Sequence, residues 1–416
     1  MIATAAPFLQ SKSLRAVVKL FIVTVCALAL GTSTQAFLTA VISPSIAGSR
    51  DSVVYWAAGQ QLSHHADPYD QASTLRMEQA APGFPAKHAA MYMRNPPWTL
   101  PLVLPLGYFG LQIGSALWSL FMVACLVASV YLLWAMHGRP QGKRQLLGYT
   151  FGPAFICLIT GQITVLALLG LVLFLRWNRT RPFMAGMALW LCAVKPHLFL
   201  PFGVVLLIWI VVTRTWRLLA GAGLALAASC GLILAIDPIV FTQYSRMVHT
   251  SGMDRDYIPC LSTLLRTWIS PNTLWIVFVP PAVACVWAIW YFWPRRHTWD
   301  WSRDGSPLML VSVMMAPYTW LFDQVLVIPA LLEGAYRTRS QVLLAVLAFL
   351  SALVQVSLFA NILKPSAVYL WTLWSAPAWL IWYLFATGWV PAGAAAEATQ
   401  WLKTLGGRRV EEPLNP

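Results

Sequence analysis

Apolar runs long enough to cross a bilayer recur along this whole chain, and short basic breaks divide them. A crossing helix needs about 20 mostly apolar residues. Residues 20–41 supply the first such run, and 59% of the 416 residues are hydrophobic against 10% charged. Inside lipid each backbone N–H and C=O must be satisfied within the chain, which points to an all-α, polytopic helical bundle. The first run exceeds the length of a signal-peptide h-region and has no clean small-x-small site before the next polar segment. It is therefore expected to remain as a membrane helix.

Charge sets the expected topology. A net charge of +14 would suggest nucleic acid in a soluble chain. Here most basic residues sit in short breaks such as Lys12/Arg15/Lys19, Arg139/Lys143/Arg144, Arg176/Arg179/Arg181, Arg295/Arg296/Arg303 and Arg337/Arg339. The positive-inside rule places these in the cytoplasm, so the excess reads as a topology signal and no nucleic-acid partner is expected. Residues 146–175, 183–212 and 307–332 are each too long for one crossing and too short for two full ones. Each carries a break near its middle: Gly161-Gln162, Lys195-Pro196, and Pro317 to Asp323. Two short helices meeting near the outer leaflet are expected in each case. That reading gives about 12 membrane helices in the cytoplasmic (inner) membrane, both termini inside. Residues 43–95 and 238–271 form outward-facing loops, the first carrying juxtamembrane helices. Residues 402–416 are a cytoplasmic tail, and the Pro-broken segment 96–109 is re-entrant or surface-lying. The whole reads as a single membrane domain. The seven Cys show no CxxC, and no external disulfide is expected.

On this topology the outer side carries basic residues against the rule, among them Arg50, Arg94, Lys195, Arg246 and Arg266. Binding an anionic group such as a phosphate would account for them. Asp51, just past the first run, fits two roles. It is a base that could take a hydroxyl proton, or the N-cap of a juxtamembrane helix. Lys195 lies in apolar sequence, where its charge costs about 2.5–3.5 kcal/mol on the insertion scale and demands a partner or a task. It could hold a lipid phosphate, with His197 donating alongside, or form a structural ion pair. Gly161-Gln162 could end a half-helix and offer donors to a sugar or phosphate, or simply join helices. Tyr318 and Trp320 could stack on a sugar while Asp323 binds its hydroxyls or orients a base; an interfacial belt with a capping acid is the alternative. Asp254-Arg255-Asp256 reads as a solvated loop rather than a cation site. No Walker motif and no GxGxxG occur, so no nucleotide cofactor is expected. Without CxxC, and with Asp254-Arg255-Asp256 read as loop, no metal cofactor is expected.

These elements in this order resemble glycosyltransferase family 87, the polyprenol-phosphate-mannose-dependent, mannosyltransferase-like branch of the GT-C membrane enzymes. The likeness rests on Asp51-x3-Tyr55-Trp56-x2-Gly59, Asp67-Pro68-Tyr69-Asp70, Asn95-Pro96-Pro97-Trp98, Gly161-Gln162, Lys195-Pro196 and Pro317-Tyr318-Thr319-Trp320. It implies a GT-C fold with an extracytoplasmic catalytic loop and a polyprenyl-phosphate sugar as donor. The acceptor would be a lipid-linked or glycan hydroxyl, and transfer would be inverting and metal-independent. It implies Asp51 as the general base. Donor phosphate would fall to Lys195, His197, Arg94 and Arg266; substrate to Tyr55, Trp56, Asp67, Tyr69, Gln162, Tyr318, Trp320 and Asp323. A secondary transporter or lipid-linked-sugar flippase is the competing class. It shares broken helices and an intramembrane Lys, but favours short loops and inverted repeats, and this chain has a long first loop with no repeat of it.

Overall fold

The computed structural model describes residues 12–84, 91, 93–250, 258–363 and 372–389. The Asp254-Arg255-Asp256 segment and the tail 402–416 lie outside them. Regular structure among the described residues is entirely helical. In chain order the main helices are α1 (Lys12–Ile42), α2 (Ser52–Ser63), α3 (Gln71–Ala80), α4 (Leu111–Met136), α5 (Gly152–Thr160), α6 (Thr164–Trp177) and α7 (Pro182–Cys192). They continue with α8 (Leu200–Thr213), α9 (Trp216–Ile236), α10 (Val240–Thr250), α11 (Leu261–Ile269), α12 (Val279–Phe292), α13 (Trp301–Met314), α14 (Ile328–Arg337), α15 (Gln341–Leu363) and α16 (Ser375–Ala386). Five stretches among the described residues are long and apolar enough to cross a bilayer: Lys19–Ile42, Leu111–Met136, Pro196–Thr213, Trp216–Ile236 and Leu274–Arg295. Shorter apolar helices accompany them, including α6 and α7. This is an all-helical membrane protein.

The three over-long runs break at the expected residues, each for a local reason. α5 ends at Gly161, whose φ of +75° is left-handed and suits Gly. Pro196 keeps Lys195 out of the helical region, at φ −139° and ψ 69°, so α7 stops before it. Pro317 follows the end of α13, and helix resumes only with a 3-10 turn over Leu321–Val327 leading into α14. The segment 96–109 forms no long helix. It folds as short turns over Pro97–Thr99, Leu100–Val103 and Leu104–Tyr108 packed against α2. A Cβ on Gly107 would strike the Gly59 carbonyl, so both glycines permit that close approach. Trp56 Nε1 (2.9 Å, to Phe109 O) and Gln60 Nε2 (2.8 Å, to Gly107 O) tie the two together.

α11 has inverted amphipathicity. It buries Ser262, Thr263 and Arg266 and exposes Leu261, Leu264, Trp268 and Ile269. Such a pattern is favourable where the outer medium is lipid and the protein side is polar. It carries Arg266 into the protein rather than out to water.

Candidate active site

The junction after α1 is fixed by Arg50. This guanidinium is only 3% exposed. It donates to Ile159 O (2.8 Å) and Leu158 O (3.1 Å) at the end of α5, to Ser115 Oγ (2.8 Å) and Ser119 Oγ (2.9 Å) on α4, and to Ala40 O (3.2 Å) on α1. One side chain therefore clamps three helices and sets where the next residue, Asp51, points. Sequence reasoning did not single out this task for Arg50. Its position against the positive-inside rule was the signal.

Asp51 stands at the N-cap position of α2, but its backbone is already helical (φ −60°, ψ −19°) and its carboxylate makes no capping bond. Instead Oδ2 accepts from Gln162 Nε2 at 2.6 Å. Gln162 has one possible orientation. Its Oε1 accepts from Lys195 Nζ (3.2 Å) and Tyr55 OH (3.1 Å). An ammonium can only donate, so the carbonyl must face it and the amide NH2 must face Asp51. Lys195 Nζ also donates to Asp323 Oδ1 at 2.7 Å. Asp323 has two further donors: Thr164 Oγ1 to Oδ1 (2.7 Å) and Trp320 N to Oδ2 (3.0 Å). The Lys195 ammonium lies 4.7 Å from the Phe322 ring centroid. The three helix breaks thus meet in one chain of hydrogen bonds that ends on Asp51.

Gln162, Lys195 and Asp323 hold the Asp51 carboxylate from one side. Among the described residues Gln162 is the one side-chain hydrogen-bond partner of Asp51, so Oδ1 can meet an incoming hydroxyl. Burial pushes the Asp51 carboxyl above its ordinary value, opposed by the Gln162 bond and by the charges of Lys195, Arg50 and Arg94. A raised carboxylate is a stronger base, and it stays ionised as long as the pH is above the shifted value.

The first-loop motifs act on Lys195 through backbone. Tyr69 is 2% exposed, and its hydroxyl donates to Asn95 O (2.9 Å). Asn95 Nδ2 donates to Val194 O (2.9 Å) and Trp98 Nε1 to Ala193 O (2.9 Å). These groups satisfy carbonyls at the end of α7 and fix the turn that presents Lys195. Asp67 accepts from Tyr69 N (2.8 Å) within the Asp-Pro-Tyr turn, and Asp70 caps α3 by accepting from Ser73 N (2.8 Å). Arg94, next to Asn95, is exposed, and its charge acts on both Asp51 and Tyr318. Tyr318 stacks on His197 at a centroid distance of 3.7 Å, and the buried His197 Nε2 has no hydrogen-bond partner among the described residues. Trp320 stacks on Phe322 at 6.0 Å. Trp56 is spent on the 96–109 segment, and Arg266 is buried on α11. The structure therefore brings Asp51, Tyr55, Gln162, Lys195 and Asp323 into direct contact, with Arg94, His197 and Tyr318 beside them. Tyr69 and Asp67 lie one step back, joined to each other and to Asn95 by hydrogen bonds.

Two expected results follow from this geometry. In Gly161→Ala the new Cβ would sit 2.7 Å from Ser52 Cβ and force a left-handed alanine. We expect a stability loss of about 2 kcal/mol or more, read by thermal unfolding, and a matching fall in activity because Gln162 is the next residue. Glu78, fully buried on α3, accepts from Met91 N (2.9 Å) and so pins the segment leading to Arg94. Burial pushes its carboxyl up to about 7 from an ordinary 4.5, against the Met91 hydrogen bond. Between those values the folded state holds a proton the unfolded state has released, so stability falls as pH rises towards 7. Glu78→Gln should therefore raise the melting temperature at about pH 8 and change it little at about pH 4. Equal effects at the two pH values would show that Glu78 is not protonated in the fold.

The model of glycosyltransferase family 87 matches residues 92–317, more than half of the chain. The matched region holds Arg94, Asn95, Gln162 and Lys195; Asp51 lies before it and Asp323 after it. No curated protein and no solved structure matches.

Proposed function

The chain belongs to glycosyltransferase family 87, and from that premise we propose that it transfers a sugar, mannose first among candidates, from a polyprenyl-phosphate donor. The acceptor is a hydroxyl of a lipid-linked or glycan molecule. The observation that carries this reading is the hydrogen-bonded chain Asp323–Lys195–Gln162–Asp51, which presents one basic carboxylate at the end of the first span.

Asp51 Oδ1 takes the proton of the acceptor hydroxyl as its oxygen attacks C1 of the donor sugar. The C1–O bond to phosphate breaks, polyprenyl phosphate leaves with the bonding electrons, and the anomeric centre inverts. Lys195 is already paired with Asp323, so this pair adds little net charge. Arg94, exposed beside the site, the remaining Lys195 proton and His197 are donors for the charge building on the departing phosphate. Arg266, buried on α11, would serve from the second loop. Stacked Tyr318 and the Trp320–Phe322 pair suit sugar faces. The topology in this reading has about 12 crossings, both termini cytoplasmic and the site on the outer face of the cytoplasmic membrane, as the basic breaks indicate. A lipid-linked donor fits that face, where nucleotide sugars are absent.

The test uses purified protein in nanodiscs with radiolabelled polyprenyl-phosphate mannose and a membrane lipid extract, with Asp51→Asn and EDTA in parallel. Asp51-dependent label in a new product, unchanged by EDTA, supports the reading. Label that requires a divalent cation would overturn the metal-independent mechanism. Transport of the intact donor without cleavage would favour the flippase class.

A further inference from the structure

The end of the bundle opposite Asp51 holds a second polar feature, independent of the proposed transfer. α6 begins at Thr164 beside Asp323 and runs away from the site, α7 returns towards Lys195, and α13 rises to the Pro317 break. The far ends of these helices, with the last residue of α4, line a cleft of about 590 Å3. The 14 residues of α6 separate it from the site by about 20 Å. Arg176, Thr180, Arg181 and Ser302 form its polar side; Met136 and Leu175 form its apolar side.

Neither Arg176 nor Arg181 makes an ion pair or side-chain hydrogen bond among the described residues, and no acid lines the cleft. Arg179 between them is different. It donates to Trp299 O (2.9 Å) and stands 3.9 Å from Asp300. Two guanidiniums with unspent donors beside an apolar wall suit a ligand that is anionic at one end and greasy at the other. Height in the membrane narrows the choice. Met136 closes the candidate span Leu111–Met136, and if that helix crosses as proposed, its end brings the cleft to the level of a bilayer's phosphates. Basic pockets at the ends of membrane helices take anionic headgroups in this way, and an arginine fork matches phosphate oxygens two at a time. We propose that this cleft binds the phosphodiester headgroup of an anionic phospholipid, with Arg176 and Arg181 on the phosphate and Met136 and Leu175 against the start of the acyl chains.

Native mass spectrometry of delipidated protein, titrated with phosphatidylglycerol, phosphatidylcholine or inorganic phosphate, tests the assignment. Wild type should prefer phosphatidylglycerol to phosphatidylcholine by about tenfold or more. Arg176→Gln/Arg181→Gln should lose that preference, while Arg179→Gln, which removes the same kind of charge outside the cleft, should keep it. Should the double variant fail to fold, Arg181→Gln alone should lower the preference by several fold. Equal binding of the two lipids, or a preference equally reduced by Arg179→Gln, would overturn the site. Displacement of phosphatidylglycerol by millimolar inorganic phosphate would overturn the lipid in favour of a soluble anion.

Discussion

Asp51→Asn should leave a folded protein with transfer reduced by about a thousandfold or more, within the range a general base contributes. The isosteric amide removes the proposed base and little else. Its Oδ1 can still accept from Gln162 Nε2, so the contact at 2.6 Å and the melting temperature should survive. The pH profile adds a readout that misfolding would not imitate. A carboxylate base works only when ionised, and burial holds the Asp51 carboxyl above its ordinary value. Wild-type rate should fall on the acid side, with its midpoint displaced upward from a free aspartate. Gln162→Leu removes a bond that favours the charged form, so its residual activity should show the acid limb moved to higher pH still. Turnover by Asp51→Asn at the wild-type rate would remove Asp51 from the chemistry.

Lys195 and Asp323 form the pair whose disruption should hurt stability most. Their side chains are 11% and 1% exposed. Lys195→Met leaves a buried carboxylate with only Thr164 and the Trp320 N–H as donors, and Asp323→Leu strands the ammonium. Either single change should lose about 3–5 kcal/mol, measured by unfolding in detergent. The double variant Lys195→Met/Asp323→Leu should recover most of that loss, because both desolvated charges are gone together. Activity should not return with stability, since Gln162 would lose its ammonium donor and the departing phosphate a neighbouring cation. A double variant that regains both would reduce Lys195 to a structural role.

Much of the architecture is legible residue by residue. The crossing length of the first run, the basic breaks and the helix stops at Gly161, Lys195-Pro196 and Pro317 are local properties. Transfer free energy, a left-handed glycine and the missing N–H of proline act on a few neighbouring residues, and any fold containing them must respect them. The same local view could not choose between the two roles of Asp51, because an aspartate before a helix looks like a cap whether or not it caps. The family resemblance placed Tyr69 and Asp67 among substrate ligands; in the fold Asp67 accepts from Tyr69 N, Tyr69 donates to Asn95 O, and Asn95 donates to Val194 O next to Lys195.

What the sequence determined by itself is that this chain is a helical membrane protein with three broken helices and an acid beyond its first span. Only tertiary structure decided that the three breaks and the acid meet in one hydrogen-bonded cluster. Gln162 meets Asp51 across 111 residues and Lys195 meets Asp323 across 128. Contacts at such separations arise from how helices pack, and Arg50 sets that packing by turning inward to join α1, α4 and α5. A buried polar group must find partners wherever the fold supplies them, and no local pattern names those partners in advance.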